Sequence, residues 1–160
     1  KRINNMSKFQ DLIDAYGVSH KNKINKLIHW VCVPAIFFSI VGLVSVIPFP
    51  VETELIKNID LNWSFFALVL VLMYYISLSI PISIGMTLFS LICIYFCLHL
   101  NTFDHPLWIY LGIFAVSWVF QFIGHHIEGK KPSFLQDIQF LLIGPAWLMH
   151  FIYKKLNIRF

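Results

Sequence analysis

The sequence is poor in charge, and this scarcity argues against a water-soluble fold. Charged residues make up only 12% of the 160 positions, whereas hydrophobic residues make up 58%. A soluble domain has about 25% charged residues. Five long apolar stretches in so short a chain leave too little polar surface to cover them, so lipid must cover them. We therefore predict a single integral membrane domain over residues 1–160, with membrane lipids as partners.

Motifs that define several other classes of protein are also absent. No CxxC pair occurs, and the three cysteines, Cys32, Cys93 and Cys97, lie in apolar stretches, so a disulfide framework is not expected. Glycine-rich phosphate loops are missing, and no GxSxG elbow supports a hydrolase. The net charge of +4 is not arranged as a basic stripe interleaved with aromatics, so we expect no nucleic acid partner. Basic residues instead flank apolar segments, where they suit anionic headgroups.

The apolar residues predict an all-α polytopic transmembrane bundle. A spanning helix needs about 20 residues, and four stretches have nearly this length or more: 27–49, 63–80, 81–100 and 107–123. The second and third are expected to form a tight hairpin around Ser79 and Pro81. A fifth stretch, 134–153, is interrupted by Asp137, Gln139 and a Gly-Pro pair. We predict that it is a broken or re-entrant helix.

The N-terminal segment predicts an amphipathic helix ahead of the first span. Phe9, Leu12, Ile13 and Tyr16 recur at helical spacing within a polar, basic stretch. Two interpretations remain open: a helix that lies on the membrane, and a surface helix with a few packed apolar residues.

The basic residues predict the orientation. Under four spans, Lys57 stands alone on one side, and the other eleven of the twelve Lys and Arg residues share the opposite side. That basic side is expected to be cytoplasmic, in a bacterial inner membrane or the endoplasmic reticulum. Both termini and the loop 124–132 would then be cytoplasmic. A fully spanning fifth helix would move three basic residues across, which favours the re-entrant alternative.

Five of the seven histidines lie near the predicted cytoplasmic face: His20, His29, His125, His126 and His150. Neutral imidazole binds Fe, Zn, Cu or Ni, although a single histidine at a membrane boundary can be an ordinary interfacial residue. Glu128 adds a carboxylate close to His125 and His126. Two histidines and one carboxylate form the facial triad of non-haem Fe(II) oxygenases. The spacing matches neither HExxH nor a zinc finger.

The remaining candidate residues depend on helix geometry. His20 and His29 are nine residues apart, about 180° around one continuous helix, so they can share a site only if the chain bends between them. Asn22 and Asn25 are suitable helix-start residues for such a bend. Gln121 lies four residues before His125 and can contact a ligand imidazole or a substrate. Its alternative role is a hydrogen bond between helices.

The residues at both ends of the chain carry a resemblance, while the middle spans match only in being apolar. It comprises Tyr16, His20, Asn25, Leu27-Ile28-His29, Pro34, the run from Trp118 to His125, Glu128, Pro132 and Pro145. In these positions the chain resembles the small membrane proteins related to the fungal 2-hydroxy fatty acid dioxygenase of fatty acid α-oxidation.

The resemblance implies an Fe(II)-dependent enzyme that uses O2 to shorten a long-chain 2-hydroxy fatty acid by one carbon. It implies metal ligation and catalysis by His20, His29 and His125, with His126 or Glu128 completing the set. In the family pattern the carboxylate stands four residues after the histidine, whereas Glu128 is three after His125, so that last choice stays open.

Four further residues are expected at the substrate: Asn25, Gln121, Lys130 and Lys131, the two lysines steering the carboxylate. The alternatives are a non-catalytic membrane lipid-binding or scaffold protein, and a small transporter. The transporter is disfavoured because the polar residues cluster at one face rather than at the bilayer midplane.

Overall fold

The computed structural model describes residues 2–50, 54–56, 59–129 and 140–158. These residues form a helical bundle with one short antiparallel β-hairpin. In chain order the elements are α1 (Arg2–Gly17), α2 (Lys23–Ser45), β1 (Glu54–Ile56), β2 (Ile59–Asp60), α3 (Trp63–Leu78), α4 (Ile80–Leu100), α5 (Pro106–Glu128) and α6 (Ile143–Lys155). The predicted helical class is confirmed.

Three helices have the length and apolar character that a membrane span requires. They are α2, α4 and α5, with 23, 21 and 23 residues. α3 is a shorter apolar helix of 16 residues, about 24 Å long, against about 30 Å for the hydrocarbon core. The chain is therefore a membrane protein, with three helices of spanning length among its described residues, and the fourth predicted span stays a prediction.

The junctions between helices follow local sequence signals. Ser79 alone separates α3 from α4; its backbone is extended, and Pro81 stands in the first turn of α4, where proline is tolerated. This is the predicted hairpin. α5 continues beyond the predicted end at residue 123 and stops at Gly129, whose φ of 72° is in the left-handed region that suits glycine. Its last turn therefore carries His125 and His126.

α2 and α5 lie antiparallel and in close contact along their lengths. Near one end, a Cβ added at Gly42 of α2 would overlap the ring of Tyr110 of α5. Near the other end, a Cβ added at Gly124 of α5 would overlap the side chain of Asn25 of α2. Small residues let helices approach closely in membranes. This interface places His29 of α2 beside the last turn of α5.

α1 packs against the bundle through its apolar face. Phe9, Ile13 and Tyr16 are all buried, and Leu12 packs partly against the same core. Of the two interpretations of this segment, the structure supports the packed helix, because its apolar side chains contact protein.

α6 has 13 residues, about 20 Å, and is too short to cross a bilayer. At its start, the hydroxyl of Tyr75 donates to the carbonyl of Leu142 (2.6 Å). Near its end, the hydroxyl of Tyr153 donates to the carbonyl of Pro81 (2.7 Å), which belongs to the α3–α4 hairpin. α6 thus ends at the same end of the bundle as that hairpin, and the re-entrant path stays a prediction. Asp137 and Gln139, which we expected to interrupt it, lie outside the described residues.

Candidate metal centre

Three histidines from separate parts of the chain meet at one end of the bundle. His20 lies in the link between α1 and α2, His29 in the second turn of α2, and His125 in the last turn of α5. Each offers one ring nitrogen, and these three atoms lie within 4.8 Å of one another. All three side chains are buried, with 3%, 1% and 5% exposure. We call these residues the histidine cluster.

The link between α1 and α2 turns His20 back onto His29. Asn22 ends the link in an extended conformation, and its side-chain oxygen accepts a hydrogen bond from the backbone N–H of Ile24 (2.8 Å). This is an N-cap, which starts α2 after His20. The predicted bend between the two histidines is therefore present, and their ring centroids lie 4.2 Å apart.

Backbone carbonyls fix the tautomers of two of these histidines. Nδ1 of His20 donates to the carbonyl of Tyr16 (2.6 Å), and Nδ1 of His29 donates to the carbonyl of Asn25 (2.9 Å). Because a carbonyl oxygen only accepts, the proton sits on Nδ1 and the lone pair on Nε2. Nε2 of His20 is buried without a hydrogen-bond partner among the described residues. A buried lone pair beside other imidazoles, with the opposite nitrogen fixed by an acceptor, suits a metal ion.

Aromatic rings enclose His20 and keep it neutral. The ring of Tyr16 stacks on it at 4.1 Å, and the ring of Trp147 lies 5.4 Å away. Burial lowers the pKa of His20 to about 4, so the imidazole is uncharged at neutral pH. This is the form that binds metals.

Glu128 lies outside the histidine cluster. One carboxylate oxygen accepts the backbone N–H of Lys21 (2.9 Å). The other accepts the backbone N–H of Asn22 (2.8 Å) and the side-chain amide of Asn25 (3.2 Å). Glu128 is not among the groups that converge within 4.8 Å. It ties the end of α5 to the link that carries His20.

His126 does not join the cluster either. It is exposed, whereas His125 is buried. Successive residues of a helix point about 100° apart, and here His125 faces the bundle while His126 faces outward. The structure thus brings neither His126 nor Glu128 to the three histidine nitrogens.

Gln121 and Asn25 have different surroundings. Gln121, Trp118 and His125 line one narrow cleft of about 20 Å³, as their spacing on α5 predicts. Asn25 is fully buried; its amide donates to the carbonyl of Ser19 (3.1 Å) and to Glu128. The side-chain amide of Asn25 is thus already hydrogen-bonded within the protein and holds the link between α1 and α2 in place. Lys130 and Lys131 lie outside the described residues.

Sequence reasoning missed the aromatic surroundings of His20. The helical spacing places Tyr16 on the apolar face of α1, although its position four residues before His20 in a helical segment is also a local signal for contact. Trp147 comes from α6, and no local pattern links it to the first turns of the chain.

The fold and the cluster define a helical membrane protein with a buried three-histidine centre near one end of its apolar helices. Residues 6–156 match the family described as 2-hydroxy-palmitic acid dioxygenase Mpo1-like, so the chain belongs to the Mpo1-like family. The 2-hydroxy-palmitic acid dioxygenase MPO1 of Saccharomyces cerevisiae is 28% identical over 142 residues, which cover 87% of this chain and 76% of that relative. The resemblance predicted from the sequence is confirmed. No solved structure matches the chain.

Proposed function

We propose that this protein is an Fe(II)-dependent dioxygenase that shortens long-chain 2-hydroxy fatty acids by one carbon. The observation that carries the proposal is the histidine cluster: three buried imidazoles whose ligand atoms lie within 4.8 Å. The name of the yeast relative, a 2-hydroxy-palmitic acid dioxygenase, supports both the reaction class and the substrate class.

His20, His29 and His125 would hold the metal. Imidazole nitrogens suit several divalent ions, but chemistry on O2 calls for a redox-active one, and iron meets both conditions. When bound, ferrous iron supplies the binding and activation of O2. The chain's own contribution is to bury the three imidazoles, to orient His20 and His29 through backbone carbonyls, and to cover His20 with the rings of Tyr16 and Trp147.

The proposed reaction balances without an external reductant. If the lost carbon leaves as CO2, conversion of a 2-hydroxy acid to the shorter acid removes four electrons from the substrate. One O2 accepts four electrons, supplying the second oxygen of the new carboxyl group and one molecule of water. No further co-substrate is needed.

The cleft beside His125 is the proposed site of the substrate's polar head. Gln121 faces this cleft and makes no hydrogen bond to another described residue, so its amide is available to the 2-hydroxy-carboxylate. Lys130 and Lys131 follow α5 directly in the sequence, and we assign them the attraction of the carboxylate. A polar head at the cytoplasmic boundary would leave the acyl chain in apolar surroundings.

The test compares 2-hydroxypalmitate with palmitate. Purified protein loaded with ferrous iron is incubated with each acid under air, while oxygen uptake and fatty acid products are followed by mass spectrometry. We expect oxygen uptake and the acid one carbon shorter from 2-hydroxypalmitate alone. The hydroxyl lies at the reacting centre, where lost interactions affect the rate most. Protein stripped of metal is the control and should be inactive.

Two results would overturn the proposal. Equal rates on the two acids would show that the hydroxyl is not used. Absence of a shortened product from protein with iron demonstrably bound would favour the alternative function, a non-catalytic lipid-binding or scaffold protein.

A further inference from the structure

A second cavity lies beside the cleft at the histidine cluster, and its wall is apolar. It has a volume of about 70 Å³ and lies between α2, α3 and the residues just before α6. Among the described side chains that line it, Ser64 has the one hydroxyl group. That hydroxyl donates a hydrogen bond to the side chain of Asn62 (2.5 Å). The wall therefore offers no free polar side chain to a hydrophilic molecule, which would lose its own hydrogen bonds on entry.

The cleft and this apolar cavity follow each other along α2. Val33 and Ile36 line the cleft, while Phe37 and Val44 line the apolar cavity. Leu141 lines both. The two spaces are thus neighbours, with the polar residues at one end and only apolar walls beyond them.

The combined length suits one long acyl chain. From Val33 to Val44, α2 rises about 16 Å. One leaflet of the hydrocarbon core is about 15 Å deep, which is the depth that the long acyl chains of membrane lipids fill. A molecule with its head at His125 and a long hydrocarbon tail would match both the length and the change of chemistry along the path.

We propose that the apolar cavity between α2 and α3 binds the acyl chain of the substrate, and that its far end near Val44 limits the chain length. The proposal rests on the proposed function for the identity of the head group. The apolar wall and its continuity with the cleft supply the site for the tail.

The first test locates the tail without requiring turnover. Full-length protein in detergent is irradiated with a 2-hydroxy fatty acid of sixteen carbons that carries a diazirine at its terminal carbon, and the modified residues are mapped by mass spectrometry. We expect labelling at the cavity wall near Val44 and Ala67, and its loss with excess 2-hydroxypalmitate. Labelling confined to Val69 and Leu70, which face outward with 58% and 67% exposure, would overturn the proposal.

The second test shortens the cavity. Ala67, half-buried in the cavity wall, is replaced in Ala67→Phe, and Val69→Phe on the outer face of α3 is the matched control. We expect Ala67→Phe to lower kcat/KM for 2-hydroxypalmitate by about tenfold or more, because several methylenes lose their contacts. The value for 2-hydroxydecanoate should stay close to wild type, and Val69→Phe should change neither.

The two proposals fail in different ways. An equal loss on both acids in Ala67→Phe would contradict a chain-length site, while wild-type protein that turns over neither acid would contradict the proposed function alone. If Ala67→Phe does not fold, the crosslinking pattern of the wild-type protein still decides the location of the acyl chain.

Discussion

The carboxylate of Glu128 illustrates how one residue can serve a site without lying in it. Its oxygens accept hydrogen bonds from the backbone N–H groups of Lys21 and Asn22 and from the amide of Asn25. These contacts fix the link that carries His20. The backbone carbonyl of Asn25 in turn accepts a hydrogen bond from Nδ1 of His29. Outer partners of this kind orient ligands. We infer that Glu128 is a positioning residue for two of the three histidines.

We predict that substitutions at Glu128 and His125 lower the affinity for iron to different degrees. Glu128→Gln keeps one acceptor oxygen and should weaken iron binding about 10- to 100-fold, as is typical for removal of an outer partner. His125→Ala removes a ligand and should lose more. His126→Ala is the matched control, because His126 is adjacent but exposed, and it should bind iron like wild type. Competition with a chelator of known affinity measures all three.

Two outcomes contradict this assignment. If Glu128→Gln loses metal as completely as His125→Ala, the carboxylate is itself a ligand. If His126→Ala loses metal while His125→Ala retains it, the wrong histidine faces the metal. Thermal unfolding of each variant without metal separates these effects from loss of the fold.

The sequence predicts contacts between residues that are close in the chain, but it does not predict contacts between residues that are far apart in the chain. The bend between His20 and His29 follows from Asn22, whose side chain caps the helix that it starts. The role of Glu128 depends on backbone groups more than a hundred positions earlier in the chain, and no spacing rule relates them. The sequence therefore could not show that Glu128 contacts the link rather than the histidine nitrogens.

Among the helices, the contact between α2 and α5 matters most for the centre, because these helices carry His29 and His125. Gly124 allows this contact: it lies one residue before His125, and a Cβ there would overlap the Oδ1 of Asn25. Asn25 cannot easily move aside, since its amide holds the carbonyl of Ser19 and the carboxylate of Glu128.

We therefore expect Gly124→Ala to destabilise the bundle by about 1–3 kcal/mol, the usual cost of overpacking, and to weaken metal binding. Gly112→Ala is the matched control. Gly112 lies on the same helix, and no atom lies within 4 Å of a Cβ built there, so alanine should be neutral or stabilising by up to about 1 kcal/mol. Thermal unfolding in detergent and metal content measure the difference. Equal stability of the two variants would show that α2 and α5 can separate at little cost.

The sequence predicts which segments form helices, but it predicts the ends of the helices and their packing less well. About 20 apolar residues suffice to recognise a span, and α2, α4 and α5 appear where expected. The end of α5 was placed too early, at residue 123, because His125, His126 and Glu128 are polar. They continue the helix, and Glu128 accepts hydrogen bonds from the backbone N–H groups of Lys21 and Asn22.

The number of times the chain crosses the membrane links the position of the histidine cluster to the predicted orientation. α2 starts and α5 ends at the cluster, so an even number of crossings must separate them. α4 is long enough to span, and Ser79 joins it directly to α3. If α2, α4 and α5 all cross, we expect α3 to cross as well, although it has only 16 residues. Local thinning of the bilayer accommodates such a mismatch at modest cost.

Cysteine labelling tests this path at four exposed positions. We expect Lys23→Cys, Ile80→Cys and Lys154→Cys to react with a membrane-impermeant maleimide from the cytoplasmic side, and Asp104→Cys from the opposite side, because the basic residues gather at the first face. The native cysteines are buried, so wild-type protein is the unlabelled control.

If Ile80→Cys reacts together with Asp104→Cys, α3 does not cross and the four-span path is wrong. If Lys154→Cys reacts from the same side as Asp104→Cys, the segment before α6 crosses the bilayer and the re-entrant path is wrong. Labelling of Lys23→Cys from the outside alone would place the cluster on that face, and the proposed position of the substrate's polar head at the cytoplasmic boundary would be wrong.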